Sequence, residues 1–152
     1  MNMESNSYYL KDADINDMQL FFESYIGYTN SQIDIEAFSS LYEARMNESG
    51  WQLFVLMTSS SQKKAGCVAL KIESELFDNS IHIDIAHLYV SPKYRKLNAA
   101  DALYEFIEAQ CKVLKAAVIS VSCGINSTLN QRFYTRRKFM YVKKLFLKAI
   151  EI

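Results

Sequence analysis

Apolar residues recur at helical spacing in some segments of the chain and at strand spacing in others, which predicts a mixture of helices and strands. Tyr8 to Lys11 is a short apolar run that predicts a first strand. Asp14 is a suitable N-cap for a helix after it, and Gly27 is expected to end that helix. The apolar face of this helix is formed by Ile15, Met18, Phe22, Tyr25 and Ile26. A second amphipathic helix, followed by Gly50, has its apolar face at Ile35, Phe38, Leu41, Tyr42 and Met46.

The period changes at Trp51, where the sequence becomes rich in strand-forming residues. Trp51 to Thr58 and Ala65 to Ile72 predict two strands joined by a polar turn, and therefore a hairpin. A third strand is predicted from Ile81 to Val90. Pro92 ends it, because proline lacks the N–H group that a strand ladder needs.

A strand-helix-strand crossover is predicted for the second half of the chain. The helix has an apolar stripe at Ala100, Leu103, Tyr104, Ile107, Cys111 and Leu114. Ala117 to Ser122 is nearly continuous in apolar residues, as a buried strand is, so the connection from Ile81 to Ser122 predicts parallel pairing. A helix carrying Leu129 and Phe133 and a final strand from Tyr141 to Ile150 complete an α/β fold with a mixed sheet.

Length and composition indicate one compact domain over residues 1–152. Half of the residues are hydrophobic, yet no apolar run reaches the length of about 18 residues that a membrane span needs. Met1 to Ser7 is polar and unlike a secretion signal, so a cytoplasmic protein without a membrane partner is expected. Cys67, Cys111 and Cys123 lie far apart without metal-ligand spacing, which predicts reduced core thiols and no metal site.

Charge is distributed unevenly although the formal net charge is zero. Residues 1–60 contain 2 basic and 9 acidic side chains, and residues 61–152 contain 15 basic and 8 acidic ones. This split favours an anionic ligand for the later part and a cationic one for the earlier part. A solvated surface with segregated charges explains the split equally well. The sequence also allows a homodimer.

Residues 88–101 carry the most informative pattern, because a strand passes through a short basic loop directly into a helix. The start of a helix offers unpaired N–H groups and a positive dipole end, which together suit a phosphate. Arg95 and Lys96 add positive charge. Asn98 tolerates the left-handed conformation that a phosphate-binding turn often needs, and Ala100 lets the backbone approach closely.

Here the sequence resembles the GNAT (Gcn5-related N-acetyltransferase) family, whose loop has the pattern Q/R-x-x-G-x-G/A. Arg95, Asn98 and Ala100 occupy its three defining positions. Phe133 to Phe139 resembles the family's F-Y-x-x-x-G-F segment, with Lys138 in place of its glycine. The resemblance implies a GNAT fold, in which an α-helix follows a V-shaped cofactor-binding strand of a mixed central sheet.

The resemblance also implies acetyl-CoA as the acyl donor and a set of contacts to it. The pantetheine arm would pair with the backbone of Leu88, Tyr89 and Val90, and an N–H group near Leu88 would stabilise the oxyanion. The pyrophosphate would lie on the loop and first helical turn, namely on Arg95, Lys96, Leu97, Asn98, Ala99, Ala100 and Asp101. Asp101 suits the helix dipole but repels an anion. Asn126 would contact the cofactor after a one-residue shift of its loop.

Three side chains are candidates for catalysis. Tyr134 matches the family tyrosine that protonates the departing thiolate, although a core tyrosine would have the same pattern. His82 and Asp84 alternate with three isoleucines, so they share one face of a strand and are candidates for the general base. A strand with one solvated face gives the same alternation. His87 is a further candidate whose direction depends on whether the strand is bulged.

The expected reaction is acetyl transfer to an amine of a small molecule or protein. The two replaced glycines and Asp101 leave a second hypothesis, a catalytically degenerate module of this fold that binds CoA or a protein partner. The cations at Arg132, Arg136, Arg137 and Lys138 would either neutralise the cofactor or complement a helix dipole. Nucleic-acid binding is not expected, because no stacking aromatics interleave this cluster.

Overall fold

The computed structural model describes residues 7–29, 32–122, 128–142 and 146–150. Within these ranges five strands form one sheet: β1 (Tyr8–Asp12), β2 (Trp51–Thr58), β3 (Lys64–Ser74), β4 (Ile81–Val90) and β5 (Ala116–Val121). Four α-helices accompany them: α1 (Met18–Thr29), α2 (Ile35–Asn47), α3 (Ala99–Val113) and α4 (Thr128–Arg136). The chain forms two compact units, Met1–Val121 and Ser122–Ile152, and the whole sheet belongs to the first.

The sheet has the strand order β1-β2-β3-β4-β5 and is mixed. The first four strands pair antiparallel, and β4 pairs parallel with β5 across the connection through α3. The predicted α/β class, the hairpin and the parallel crossover are therefore confirmed.

Alternation along the strands gives the sheet two buried faces. On the first face, Phe21 of α1 and Tyr42 of α2 pack on Val55, Met57 and Cys67. The intervening strand residues point to the second face, where Leu56, Leu70 and Ile83 are fully buried. α3 contacts β3 and β4 and buries Leu103 and Ile107 completely. Burial of apolar surface on both faces is the main stabilising contribution to this unit.

A buried carboxylate in the turn before α1 forms ion pairs with two strands of the sheet. Asp17 is fully buried, and Lys11 and Lys64 place their Nζ atoms 2.8 and 2.7 Å from its two oxygens. Burial alone would raise the pKa of Asp17. The hydrogen bonds from both lysines and from the Asp14 backbone outweigh burial and lower that pKa. This cluster links β1, β3 and the turn before α1.

Two cysteines are buried and unbridged, as predicted. Burial raises the pKa of the Cys67 thiol to about 12 and that of Cys111 to about 11, so both are neutral core groups at physiological pH. The prediction for Cys123 concerns a residue outside the described ranges.

Three sequence predictions differ from the structure. α1 continues through Gly27 to Thr29, because the packing of its earlier turns outweighs the low helix propensity of a single glycine. β5 lies at the edge of the sheet within the described residues, and Val118 is 52% exposed rather than buried. Residues 141–142 and 146–150 contain no strand, since alternation supplies strand propensity but not the partner that a strand requires.

Candidate functional site

β4 contains a one-residue bulge immediately before the predicted cofactor-binding residues. Ala69 is opposite His87 and Leu70 is opposite Ile85, which leaves Ala86 as an extra residue without a partner on β3. The bulge changes which face the following side chains occupy. His82 and Asp84 before it and His87 and Tyr89 after it therefore all point to the first face, the face covered by α1 and α2.

Beyond the bulge, β4 remains paired with β3 but is no longer paired with β5. β5 pairs with β4 only from Ile81 to Ile85, whereas β3 continues to pair as far as Val90. Leu88, Tyr89 and Val90 therefore have a strand on one side, and within the described residues no strand pairs with their other side. This is the V-shaped opening that the resemblance implies, and an extended ligand with amide groups can pair there as an added strand.

The loop after β4 leads to the N-terminus of α3, next to that opening. A short 3-10 turn, Pro92–Tyr94, is followed by Asn98, which has φ 60° and ψ 19° and directly precedes α3. Asn98 therefore adopts the predicted left-handed conformation, which asparagine tolerates better than most residues. Its side chain does not cap the helix. The first N–H groups of α3 thus form the kind of anion site that helix starts provide.

Side-chain hydrogen bonds to β1 and β4 hold this loop in place. The Tyr8 hydroxyl of β1 donates a hydrogen bond to the Leu97 carbonyl at 2.8 Å. Arg95 donates from Nε to the Val90 carbonyl at 3.0 Å, and its guanidinium lies 5.8 Å from the centre of the Tyr89 ring. Arg95 thus fixes the end of β4 to the loop as well as contributing positive charge. Lys96 is exposed.

A hydrogen-bonded chain joins the two candidate bases on the first face. Ser120 of β5 donates to Asp84 Oδ1 at 2.6 Å, and His82 Nε2 lies 2.7 Å from the same hydroxyl. His82 Nδ1 lies 3.5 Å from Glu75 Oε1. The sequence prediction that His82 and Asp84 share a face is confirmed. Ser120 was not predicted, although it is the only polar residue within β5 and lies in register with Asp84.

His87 is directed toward α1 by the bulge. Its Nε2 lies 2.6 Å from the hydroxyl of Ser24, a fully buried residue that also donates to the Phe21 carbonyl. Burial lowers the pKa of His87, so its ring is neutral at physiological pH. These contacts give His87 a structural role in joining β4 to α1.

The second unit holds Tyr134 in an aromatic cluster. Tyr134 is 8% exposed, and its ring packs edge-on against Phe133 and Phe139 at centroid distances of 5.1 and 5.2 Å. Lys138, which replaces the family glycine, has φ 68°. The N–H groups of Lys138 and Phe139 bond back to the Thr135 and Tyr134 carbonyls and close the end of α4. Asn126 lies outside the described residues.

The basic cluster of α4 includes one cation with a structural role. Arg137 donates from Nη1 to the Phe133 carbonyl at 2.9 Å, and its guanidinium lies 3.6 Å from the centre of the Phe133 ring. Partial burial lowers the pKa of Arg137, which still remains charged. Arg132, Arg136 and Lys138 are exposed. The contacts of Arg137 favour the interpretation that this residue stabilises the end of the helix.

Comparison with known proteins gives a consistent result. The sequence model described as "Acetyltransferase (GNAT) family" matches residues 18–139. No curated protein matches the sequence. Glucosamine-6-phosphate N-acetyltransferase from Arabidopsis thaliana is similar in structure, with a TM-score of 0.72, 16% identity, and coverage of 95% of this chain and 99% of that one.

Two aminoglycoside acetyltransferases are similar in structure as well. The 6'-N-acetyltransferase AAC(6')-Ih from Acinetobacter baumannii has a TM-score of 0.76 and 10% identity, covering 95% of this chain and 99% of that one. AAC(6')-Iy, solved with the bisubstrate analogue CoA-S-monomethyl-acetylneamine, has a TM-score of 0.78 and 11% identity, with the same coverage. At such low identity these likenesses establish the fold. Among the described residues, no helix has the length and apolar character to span a membrane.

Proposed function

Because the chain belongs to the acetyltransferase (GNAT) family, we propose that it transfers an acetyl group from acetyl-CoA to a primary amine. One observation carries this proposal: the edge of β4 that no described strand pairs with is followed, after a short loop, by a left-handed turn at the start of α3. The edge suits the amide-containing pantetheine arm, and the helix start suits the pyrophosphate. The family match spans both compact units, which supports one acyltransferase domain over residues 1–152.

This geometry supports the donor contacts that the family resemblance implies. The backbone of Leu88, Tyr89 and Val90 would pair with the pantetheine arm, and the N–H groups of residues 96–101 would bind the pyrophosphate. Asp101 stands in the first turn of α3, where its carboxylate complements the dipole but repels phosphate oxygens. We therefore expect the Asp101→Asn variant to bind acetyl-CoA more tightly, most visibly at low salt.

The chemical step needs a base, an oxyanion site and an acid. Asp84 would take the proton from the attacking ammonium, and the nitrogen lone pair would then form the C–N bond at the thioester carbonyl. A backbone N–H group near Leu88 would stabilise the oxyanion. As the C–S bond breaks, the Tyr134 phenol would donate its proton to the thiolate. The second proton that the attacking nitrogen loses would then restore the phenol, by way of solvent. His82 would support Asp84 through Ser120.

The acceptor is proposed to be cationic. Asp34, Glu36 and Glu43 are exposed on or next to α2, in the part of the chain that carries the excess of negative charge. The aminoglycoside and glucosamine-6-phosphate acetyltransferases acylate amines, which supports an amine of this kind. Neutralising all three carboxylates should raise the acceptor KM and leave the KM for acetyl-CoA unchanged. An unchanged acceptor KM would remove this assignment.

A binding experiment and a turnover experiment together test the proposal. Acetyl-CoA at 100 times its Kd should stabilise the protein by about 2.7 kcal/mol in thermal unfolding. Amines should then release free CoA thiol, which a thiol reagent detects. A degenerate module that binds CoA, which Asn98, Lys138 and Asp101 favour, predicts the thermal shift without thiol release for any amine. Absence of a shift would argue against cofactor use and would leave only a module that binds a protein partner.

A further inference from the structure

We propose that Ser120 is a positioning residue that fixes the proton positions of His82 and Asp84. The inference rests on the proposed function and deepens it, because it divides the roles of two candidate bases that sequence reasoning left equivalent. It also gives a role to a β5 residue that the family resemblance did not include.

Strand register brings the Ser120 hydroxyl to the pair. β4 and β5 are parallel, with Asp84 opposite Ser120 and His82 opposite Val118. Neighbouring residues of a parallel pair share a face, so Ser120 points to the first face with His82 and Asp84. All three side chains are half-buried, and the His82 side chain is 28% exposed. The Ser120 hydroxyl therefore lies where water has only partial access to its hydrogen bonds.

Counting protons determines the direction of each hydrogen bond. A carboxylate only accepts, and a serine hydroxyl has a single proton to donate. Because Ser120 donates that proton to Asp84 Oδ1 at 2.6 Å, the 2.7 Å contact with His82 requires a proton on His82 Nε2. His82 Nδ1 takes no part in this chain and lies 3.5 Å from Glu75 Oε1, with which it forms an ion pair when the ring is protonated.

This arrangement separates the two candidate bases. His82 directs its Nε2 proton toward Asp84 through Ser120, so it stabilises the carboxylate and does not compete with it for the proton of the amine. Asp84 is oriented by a charge-assisted hydrogen bond at Oδ1, and Oδ2 remains as the oxygen that would accept this proton. Asp84 is therefore the base, and Ser120 and His82 are positioning residues.

Charged side chains of β3 and of the turn after it surround the pair. Lys71 of β3 lies in register on the other side of Asp84 and forms an ion pair with Glu73 at 2.9 Å. Glu73 lies in register with His82, and Glu75 faces its ring. Two carboxylates thus surround the imidazole, and one ammonium lies beside Asp84.

Two substitutions of Ser120 test the proposal in the full-length chain. Ser120→Ala removes the hydroxyl, and Ser120→Thr retains it as a matched control. The first measurement is the nitrogen NMR spectrum of the imidazoles, which is simple because the chain has two histidines, and His82→Asn assigns them. We expect His82 to be protonated on Nε2 in the wild type and in Ser120→Thr, and to become a mixture of tautomers in Ser120→Ala.

The second measurement is the pH dependence of kcat. Ser120→Ala should lower kcat about tenfold, the effect expected on losing one hydrogen bond to a charged group, with an unchanged KM for acetyl-CoA. The acidic limb of its profile should move to higher pH, because a carboxylate without its hydrogen bond takes up a proton more readily. Ser120→Thr should restore the wild-type profile. A purely structural role would lower kcat without moving the limb.

Contrary outcomes are distinguishable. An unchanged His82 tautomer or an unmoved acidic limb in Ser120→Ala overturns the role of Ser120. Absence of turnover in the wild type overturns the proposed function, and the NMR spectrum then still decides the proton positions. If Ser120→Ala fails to fold, Ser120→Cys, which is similar in size and a weak hydrogen-bond donor, takes its place with the same expected results.

Discussion

Gly66 of β3 lies directly against the backbone of Tyr89 on β4, so close that a side chain at position 66 would overlap the Tyr89 carbonyl oxygen. A Cβ atom there would also lie 3.3 Å from Val90 Cα. Both obstacles are backbone atoms of the strand that would bind the pantetheine arm, and backbone cannot move aside as a flexible side chain can. Gly66 is therefore needed for the position of this strand.

We predict that Gly66→Ala lowers the free energy of unfolding by about 1–3 kcal/mol, the usual cost of overpacking. Because the clash displaces the edge of β4, the acetyl-CoA affinity should fall as well. Chemical denaturation and ligand titration measure the two effects. Gly27→Ala is the matched control: position 27 lies in α1 with open space around it, so that change should stabilise by about 0.5–1 kcal/mol. Equal stability of both variants would contradict the prediction.

Lys138 offers a stabilising substitution. Its φ of 68° at the end of α4 is a conformation in which glycine has no steric penalty and lysine has one of about 1 kcal/mol. Lys138→Gly should therefore raise the midpoint of thermal unfolding. Lys138→Ala removes the same charge but keeps the Cβ atom, so it should give no such gain. Equal midpoints for the two variants would show that charge, and not backbone conformation, matters there.

The Asp17 cluster predicts a dependence of stability on pH. Because the pKa of Asp17 is lowered by folding, its contribution is present above the unfolded-state pKa and is lost as the pH falls through the folded-state value. Asp17→Asn removes the carboxylate that Lys11 and Lys64 share and should cost about 1.5–3 kcal/mol at neutral pH, the usual contribution of hydrogen bonds to a charged group. That difference should shrink in acid. Asp12 is an exposed carboxylate of β1, next to Lys11, so Asp12→Asn should change the free energy of unfolding little at either pH.

Tyr134→Phe tests the proposed acid. Loss of a general acid typically lowers kcat by about 100-fold or more, whereas the phenyl ring preserves the aromatic contacts with Phe133 and Phe139. The thermal midpoint and the KM for acetyl-CoA should therefore remain near wild type. Steady-state kinetics with saturating amine provides the measurement. Wild-type turnover in this variant would mean that Tyr134 is only a packing residue.

Local pattern predicted much of the fold correctly. β2 and β4 begin and end where alternation and Pro92 place them, since both strands have strong periodic signals and sharp breaks. Asn98 has the left-handed conformation expected from the loop pattern. These features depend on residues that are close together in the sequence, so they can be predicted from the local sequence pattern.

Features that depend on distant partners were not predictable. The position of the bulge follows from the pairing of β3 with β4, so the direction of His87 could not be inferred from β4 alone. Ser120 acquires its role only through its register with Asp84. The predicted strand at 141–150 shows the same limit, because apolar alternation does not specify a neighbouring strand.

The bulge at Ala86 makes the length of β4 a determinant of function, separately from its composition. Deleting this one residue would make Ile85 and His87 neighbours opposite Leu70 and Ala69, so the pairing with β3 and the faces of the residues that follow would be kept. The strand would lose only the local bend and the extra twist that a bulge provides. A single-codon deletion there should therefore preserve the fold and alter the path of the backbone that would bind the pantetheine arm.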